Sequence, residues 1–151
     1  MSTPQNTIRA LAAELVHKAQ SLDEKTRKKY RVNYIVGAAE RVAARAEAAT
    51  DTEFVTLLSK VVTHFPVTPE GSKAYAPHVN RYEAYARRKY QLVAVGYYKA
   101  VWLSLGIAIG MPMGLALKNL AAGIPIGLAI GLAIGTGLDN KAQKEGRAIT
   151  L

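Results

Sequence analysis

The stretch LAAGIPIGLAIGLAIGTGL, residues 120–138, places glycine at every fourth position: Gly123, Gly127, Gly131 and Gly135. A second ladder, Gly106, Gly110 and Gly114, runs through AVWLSLGIAIGMPMGLAL, residues 100–117. In a water-exposed helix each glycine costs about 0.8–1.0 kcal/mol relative to alanine, so seven at one spacing need a reason. Lipid provides one. Small residues four apart let helix backbones approach closely, and dispersion with weak Cα–H···O contacts then drives association. Stretches of 18 and 19 residues rise about 27–29 Å, close to the roughly 30 Å hydrocarbon core. We therefore expect a transmembrane helical hairpin that packs through its glycines and reverses at the polar pair Lys118-Asn119. Pro125 falls near the start of the second helix, where it is tolerated. Pro112 falls mid-span and predicts a kink unless neighbours satisfy the freed carbonyl.

A four-residue step advances about 40° around a helix, so each stripe winds slowly and favours a right-handed crossing near −40°. Ala129 and Ala133 add small surface to the second helix, and Ile126, Ile130 and Ile134 supply ridges. Two small faces suit hairpin closure on one side and contact with another subunit on the other. Self-association is the strongest functional expectation.

Toward the amino terminus, Arg87, Arg88, Lys89 and Lys99 stand beside Tyr97, Tyr98 and Trp102, the mixture found at headgroup level. No stop signal separates Pro77 from the apolar stretch. The stripe Tyr75, Val79, Tyr82, Ala86, Tyr90 and Val93 therefore predicts a helix continuous into the bilayer, with Tyr82 and Tyr90 packed among soluble helices. Before it, FPVTPEGS (residues 65–72) is a break. Three helices precede the break. Pro4 opens the first, to about residue 20, on Ile8, Leu11, Leu15, Ala19 and Leu22. The capping-box pattern Ser21-Leu22-Asp23-Glu24 opens the second, to about residue 49, on Val32, Ile35, Val36, Ala39, Val42, Ala43 and Ala46. Thr50-Asp51-Thr52-Glu53 opens the third, with Phe54, Leu57, Leu58, Val61 and Val62. The fold class is all-α: a basic helical domain (1–92), a hairpin with GxxxG zippers (93–140) and a charged tail (141–151).

Charge is divided unevenly. Residues 1–99 hold 16 Lys and Arg against 9 Asp and Glu, whereas residues 100–138 hold only Lys118. A solvated helical surface accounts for the excess, and attraction to anionic lipid headgroups is the sharper alternative, at about 1 kcal/mol per well-placed base. Nucleic acid is a weak third, because no helix-turn-helix, RNA-binding or zinc spacing accompanies the charge. Basic residues flank both ends of the hairpin, including Lys141, Lys144 and Arg147. The positive-inside rule then puts both termini in the cytoplasm, at the inner membrane of a bacterial cell. The start, MSTPQNTIRALAAELVHKAQ, lacks a signal-peptide core, so delivery is expected to rest on the hairpin.

Residues 124–149, IPIGLAIGLAIGTGLDNKAQKEGRAI, resemble the end of a widespread group of small bacterial glycine-zipper membrane proteins. An IPIG-type start, repeated glycine steps and an LDxKAxxEGR-like tail recur together in that group. Here the matching positions are Ile124-Pro125-Ile126-Gly127, the glycines through Gly135, Leu138-Asp139, Lys141-Ala142 and Glu145-Gly146-Arg147. GIAIGMPMG in the first span matches more loosely. The resemblance covers about the last third of the chain and implies a two-helix membrane hairpin, with no reaction attached. In the tail, which should continue the second helix, Lys141 and Glu145 fall at stabilising spacing.

Catalytic chemistry is not expected. There is no cysteine and no phosphate-cradling GxxxxGK[ST] pattern. His17, His64 and His78 have neither a carboxylate nor a second histidine at ligand spacing, so no metal or cofactor is anticipated. Paired acids such as Asp51 and Glu53 mark helix starts. A non-enzymatic membrane scaffold leads. A pore-former of the channel, holin or toxin kind is the alternative, although Ser104 and Thr136 are the only polar side chains within the spans. A soluble or virion-associated helical assembly is the third. What the soluble domain binds is not legible.

Overall fold

Thr3 opens α1 (Pro4–Lys18): its hydroxyl accepts from the Asn6 amide at 3.4 Å, and Pro4 occupies the first turn, where no amide is needed. The computed structural model describes residues 3–66 and 71–151, so residues 67–70 of the expected break at residues 65–72 lie outside the described residues. The chain divides into two compact units, residues 1–93 with 149–151, and residues 94–148. Among the described residues the architecture is all-α, apart from one pair of two-residue strands.

In the first unit, α1 is followed by α2 (Glu24–Lys29), α3 (Val32–Ala43), a 3-10 turn at Ala46–Thr50, α4 (Thr52–Thr63) and α5 (Ser72–Tyr90). The single helix expected over residues 21–49 is therefore three pieces. Asp23, not Ser21, caps α2 by accepting from the Thr26 amide at 3.3 Å. The helix breaks at Arg31, which takes a left-handed φ of 54° and pairs with Glu83 of α5. The physical reason lies next door. Tyr30 is locked edge-on between Phe65 and Tyr75, and its carbonyl accepts from the Tyr75 hydroxyl at 3.0 Å. These contacts, together with the Arg31–Glu83 pair, fix the chain where the helix breaks.

The core follows the periodic stripes: Ile8 and Leu15 from α1 with Ala19 just beyond its end, Val32, Ile35 and Val42 from α3, Phe54, Leu58 and Val61 from α4. From α5 come Tyr75, Val79, Tyr82, Ala86 and Tyr90. A buried phenol needs a partner for its hydroxyl. Tyr82 donates to the Ile35 carbonyl at 3.0 Å, and Tyr34 of α3 to the Leu92 carbonyl at 3.1 Å.

The continuous fourth helix is not what forms. α5 stops at Gln91, whose left-handed φ of 57° ends the ladder, and α6 (Tyr97–Ala116) starts afresh after Gly96 at φ 85°. Between them β1 (Val93–Ala94) pairs with β2 (Ala148–Ile149), each strand contributing one residue to each unit. In the second unit α6 and α7 (Leu120–Lys144) form an antiparallel hairpin. α7 carries the tail as far as Lys144, and Lys141 reaches Glu145 at 4.0 Å.

Candidate functional site: the glycine seam and the exterior of the hairpin

At the turn, Lys118 adopts φ 53°, and the Asn119 amide donates back to the Gly114 carbonyl at 2.8 Å. The Lys118 amide donates to Leu115 at 3.0 Å, which completes a Schellman closure of α6. The Asn119 side chain then accepts from the Ala122 amide at 3.2 Å, capping α7. Two polar residues thus end one helix and begin the next.

From that turn the glycines meet in register. A Cβ added at Gly106 would overlap the Gly127 carbonyl oxygen, and one at Gly127 would overlap the Gly106 oxygen. Gly110 and Gly123 stand in the same reciprocal relation, and Gly131 lies against the Trp102 carbonyl. A Cβ at Gly135 would fall 2.8 Å from the Lys99 Cα. Each downward step of four on one helix is matched by an upward step of four on the other. Gly106, Gly110 and Gly114 are the only buried residues of α6, and the glycine ladder accounts for all but two of those of α7. The seam is backbone against backbone, with Cα–H groups facing carbonyls.

The ladder continues one step past Gly135, to Asp139. Its side chain, 1% exposed, accepts from the Tyr98 amide at 3.1 Å and the Lys99 amide at 3.2 Å. A carboxylate from α7 thereby caps the first turn of α6 and satisfies two amides that the helix itself leaves free. In the sequence Asp139 stands only as part of the tail motif, and this contact has no signal along the chain. Asp139→Ala should free the first-turn amides at a cost of about 1 kcal/mol, seen as faster amide exchange at residues 98–100, with Asp139→Asn largely protected. Equal exchange in both variants would contradict the cap.

The proposed anchors divide between the units. Tyr97 and Tyr98 pack edge-on at the start of α6, ring centroids 5.4 Å apart, with Trp102 half-buried and Lys99 exposed nearby. Arg87, Arg88 and Lys89 lie on α5 in the first unit, where the Lys89 ammonium pairs with Asp51 at 2.9 Å. His64 and His78, isolated along the sequence, are not isolated in space. Their rings stack with centroids 4.0 Å apart, because packing of α4 on α5 joins positions that spacing along the chain keeps apart.

The exterior of the hairpin is apolar and open. Helices of 20 and 25 residues reach about 30 and 37 Å, enough to cross a bilayer. Only 17% and 22% of their most apolar windows is buried, whereas a core helix of a soluble protein would be mostly covered. Leu105, Ile109, Met111, Leu115, Leu132 and Ile130 are among the large side chains left outside.

Residues 96–141 match the family described as glycine zipper membrane protein. The glycine-zipper segment spans both apolar helices, the seam and Asp139, and leaves the first unit outside the match. Comparison with curated proteins and with solved structures returned no match. The match and the two long apolar helices together mark this as a membrane protein.

Proposed function

We propose that this chain is an integral membrane protein whose hairpins assemble with one another, a non-enzymatic scaffold carrying a basic helical domain. One observation carries the reading. The glycine ladders are consumed inside the hairpin, yet a second small-residue ladder lies on the far side of each helix. On α6 it is Ala100, Ser104, Ala108, Pro112 and Ala116; on α7 it is Ala121, Pro125, Ala129, Ala133 and Gly137. All ten are exposed. A two-residue offset from the glycines turns each ladder about 160° away from the seam. Small stripes flanked by ridges such as Ile126, Ile130 and Ile134 offer shallow grooves for close approach by a neighbouring helix.

Topology supports the same reading. Val93 and Ile149 both belong to the first unit, which supports a hairpin that crosses the bilayer twice. With basic flanks at both ends, the side that holds them is the cytoplasmic side of a bacterial inner membrane. Arg87, Arg88, Lys99, Lys141 and Lys144 are exposed and suited to anionic headgroups. A pore-former has less support. The Ser104 hydroxyl donates to the Ala100 carbonyl at 3.1 Å, and the break at Gln91 to Gly96 removes the continuous helix that would transmit a signal.

The test fills the outer groove and spares the seam. Alkaline carbonate should leave the protein in the membrane pellet. Ala129→Leu with Ala133→Leu should reduce the detergent-solubilised particle to a monomer by light scattering. A wild-type monomer, or an unchanged assembly in the double variant, would refute assembly through this face.

A further inference from the structure

α4 and α5 are fastened to each other at two ends by chemically different contacts. At one end the Asp51 carboxylate accepts from the hydroxyls of Tyr85 and Tyr90 on α5. At the other, His64, which caps the carboxyl end of α4, stacks on His78 of α5 with an interplanar angle of 26°. His64 Nδ1 lies 2.9 Å from the Lys60 carbonyl oxygen. A carbonyl only accepts, so Nδ1 carries the proton and donates, leaving Nε2 as the basic nitrogen. Protonation of His78 then puts a full positive charge against the His64 ring, 4.0 Å away between centroids.

The surroundings add to that repulsion. Lys60 on α4 and Arg81 on α5 both act on His78. From α1, the Lys18 ammonium donates to the Val62 carbonyl at 3.0 Å, with Glu14 as its counter-ion at 2.9 Å. His17 lines the adjoining cleft with Thr63 and Pro66. A metal ion fits poorly, because near-parallel rings do not aim two lone pairs at one point and the neighbouring cations repel it.

We propose that the His64–His78 stack is an acid-opened fastener, releasing α4 from α5 at this end while the Asp51 end stays closed. Burial, then His64, Arg81 and Lys60, hold the His78 imidazole below its ordinary pKa. A lowered folded pKa means that the stability this ring lends is complete above the unfolded value of about 6.5 and is lost as pH falls through the folded one. At the far end, burial pushes the Asp51 carboxyl up. Hydrogen bonds from Tyr90, Lys89, the Phe54 amide and Tyr85 outweigh that and hold it below the usual carboxylate range. Acid in the histidine range therefore reaches one end only.

The test is amide hydrogen exchange on the full chain in detergent micelles at about pH 7.5 and about pH 5.5, corrected for intrinsic rates. The amides of residues 61–65, 75, 76, 78 and 79 should exchange several-fold faster at the lower pH, and those of residues 54–58 and 82–90 should not. His64→Gln and His78→Gln, each at a position with some solvent exposure, should both abolish the acid response. An absent response in the wild type, its survival in both variants, or equal loosening at the Asp51 end would overturn the proposal.

Discussion

Gly127→Leu is expected to open the hairpin. A Cβ at this position meets the Gly106 carbonyl oxygen and sits 2.8 Å from the Gly110 Cα and 2.9 Å from its nitrogen. All three atoms are backbone, so no rotamer change relieves the overlap, and the helices must separate along the seam. Overpacking costs about 1–3 kcal/mol where side chains can shift; here about 3 kcal/mol is the lower expectation. Gly137→Leu is the control, since a Cβ there has nothing within 4 Å. The chain has no cysteine, so spin labels on Leu105→Cys and Leu128→Cys report the separation directly. In Gly127→Leu the label-to-label distance should grow as the axes move apart toward the ordinary spacing of about 8–10 Å, and in Gly137→Leu it should stay put. An unchanged distance in Gly127→Leu would mean that the glycines do not set the approach.

Asp51→Ala should be the most damaging change in the first unit. The carboxylate, in a residue 4% exposed, accepts from the Phe54 amide at 3.0 Å, the Tyr85 hydroxyl at 2.9 Å and the Tyr90 hydroxyl at 2.5 Å. It is at once the cap of α4 and the anchor of the last turn of α5. Alanine strands a buried tyrosine hydroxyl and a helix amide, each at about 1–3 kcal/mol, so a loss of about 3 kcal/mol is expected. Lys89 is solvated and adds little. Asp51→Asn should recover the amide contact and part of the stability. The native contribution is present above the usual carboxylate range and is lost as pH falls through the lowered folded pKa. Chemical denaturation followed by tyrosine fluorescence measures this. Equal stability of wild type and Asp51→Ala would remove the anchor from the account.

The seam was readable because steric permission is written in residue size: a glycine every four positions is a helix face without side chains, whatever lies opposite. The same rule, carried one step beyond Gly135, reaches Asp139, and shifted by two positions it reaches the outer ladders, of which Ala129 and Ala133 were noticed. The breaks were harder. Gln91 and Arg31 take left-handed backbone without being glycine: Gln91 sits in a local closure in which the Leu92 amide donates to the Ala86 carbonyl, and Arg31 pairs with Glu83 on another helix. Asp51 was visible as a helix start, but its two tyrosines lie on another element, and the meeting of His64 with His78 depends on how α4 crosses α5. Spacing identifies partners on one helix and is silent about partners on two.

Ile149 packs its Cγ2 where a side chain on Gly37 would otherwise go, 2.8 Å from that missing carbon, and Asn33 donates to the Leu151 carbonyl at 3.3 Å. The amino-terminal domain therefore borrows its last tile from beyond the hairpin. During translation at roughly 5–20 residues per second, Ile149 leaves the ribosome on the order of 3–11 s after Val93. Helices form within about a microsecond, so the nascent domain waits, nearly assembled, with the seat beside Gly37 vacant. Completion of that domain therefore waits for residues made after the hairpin.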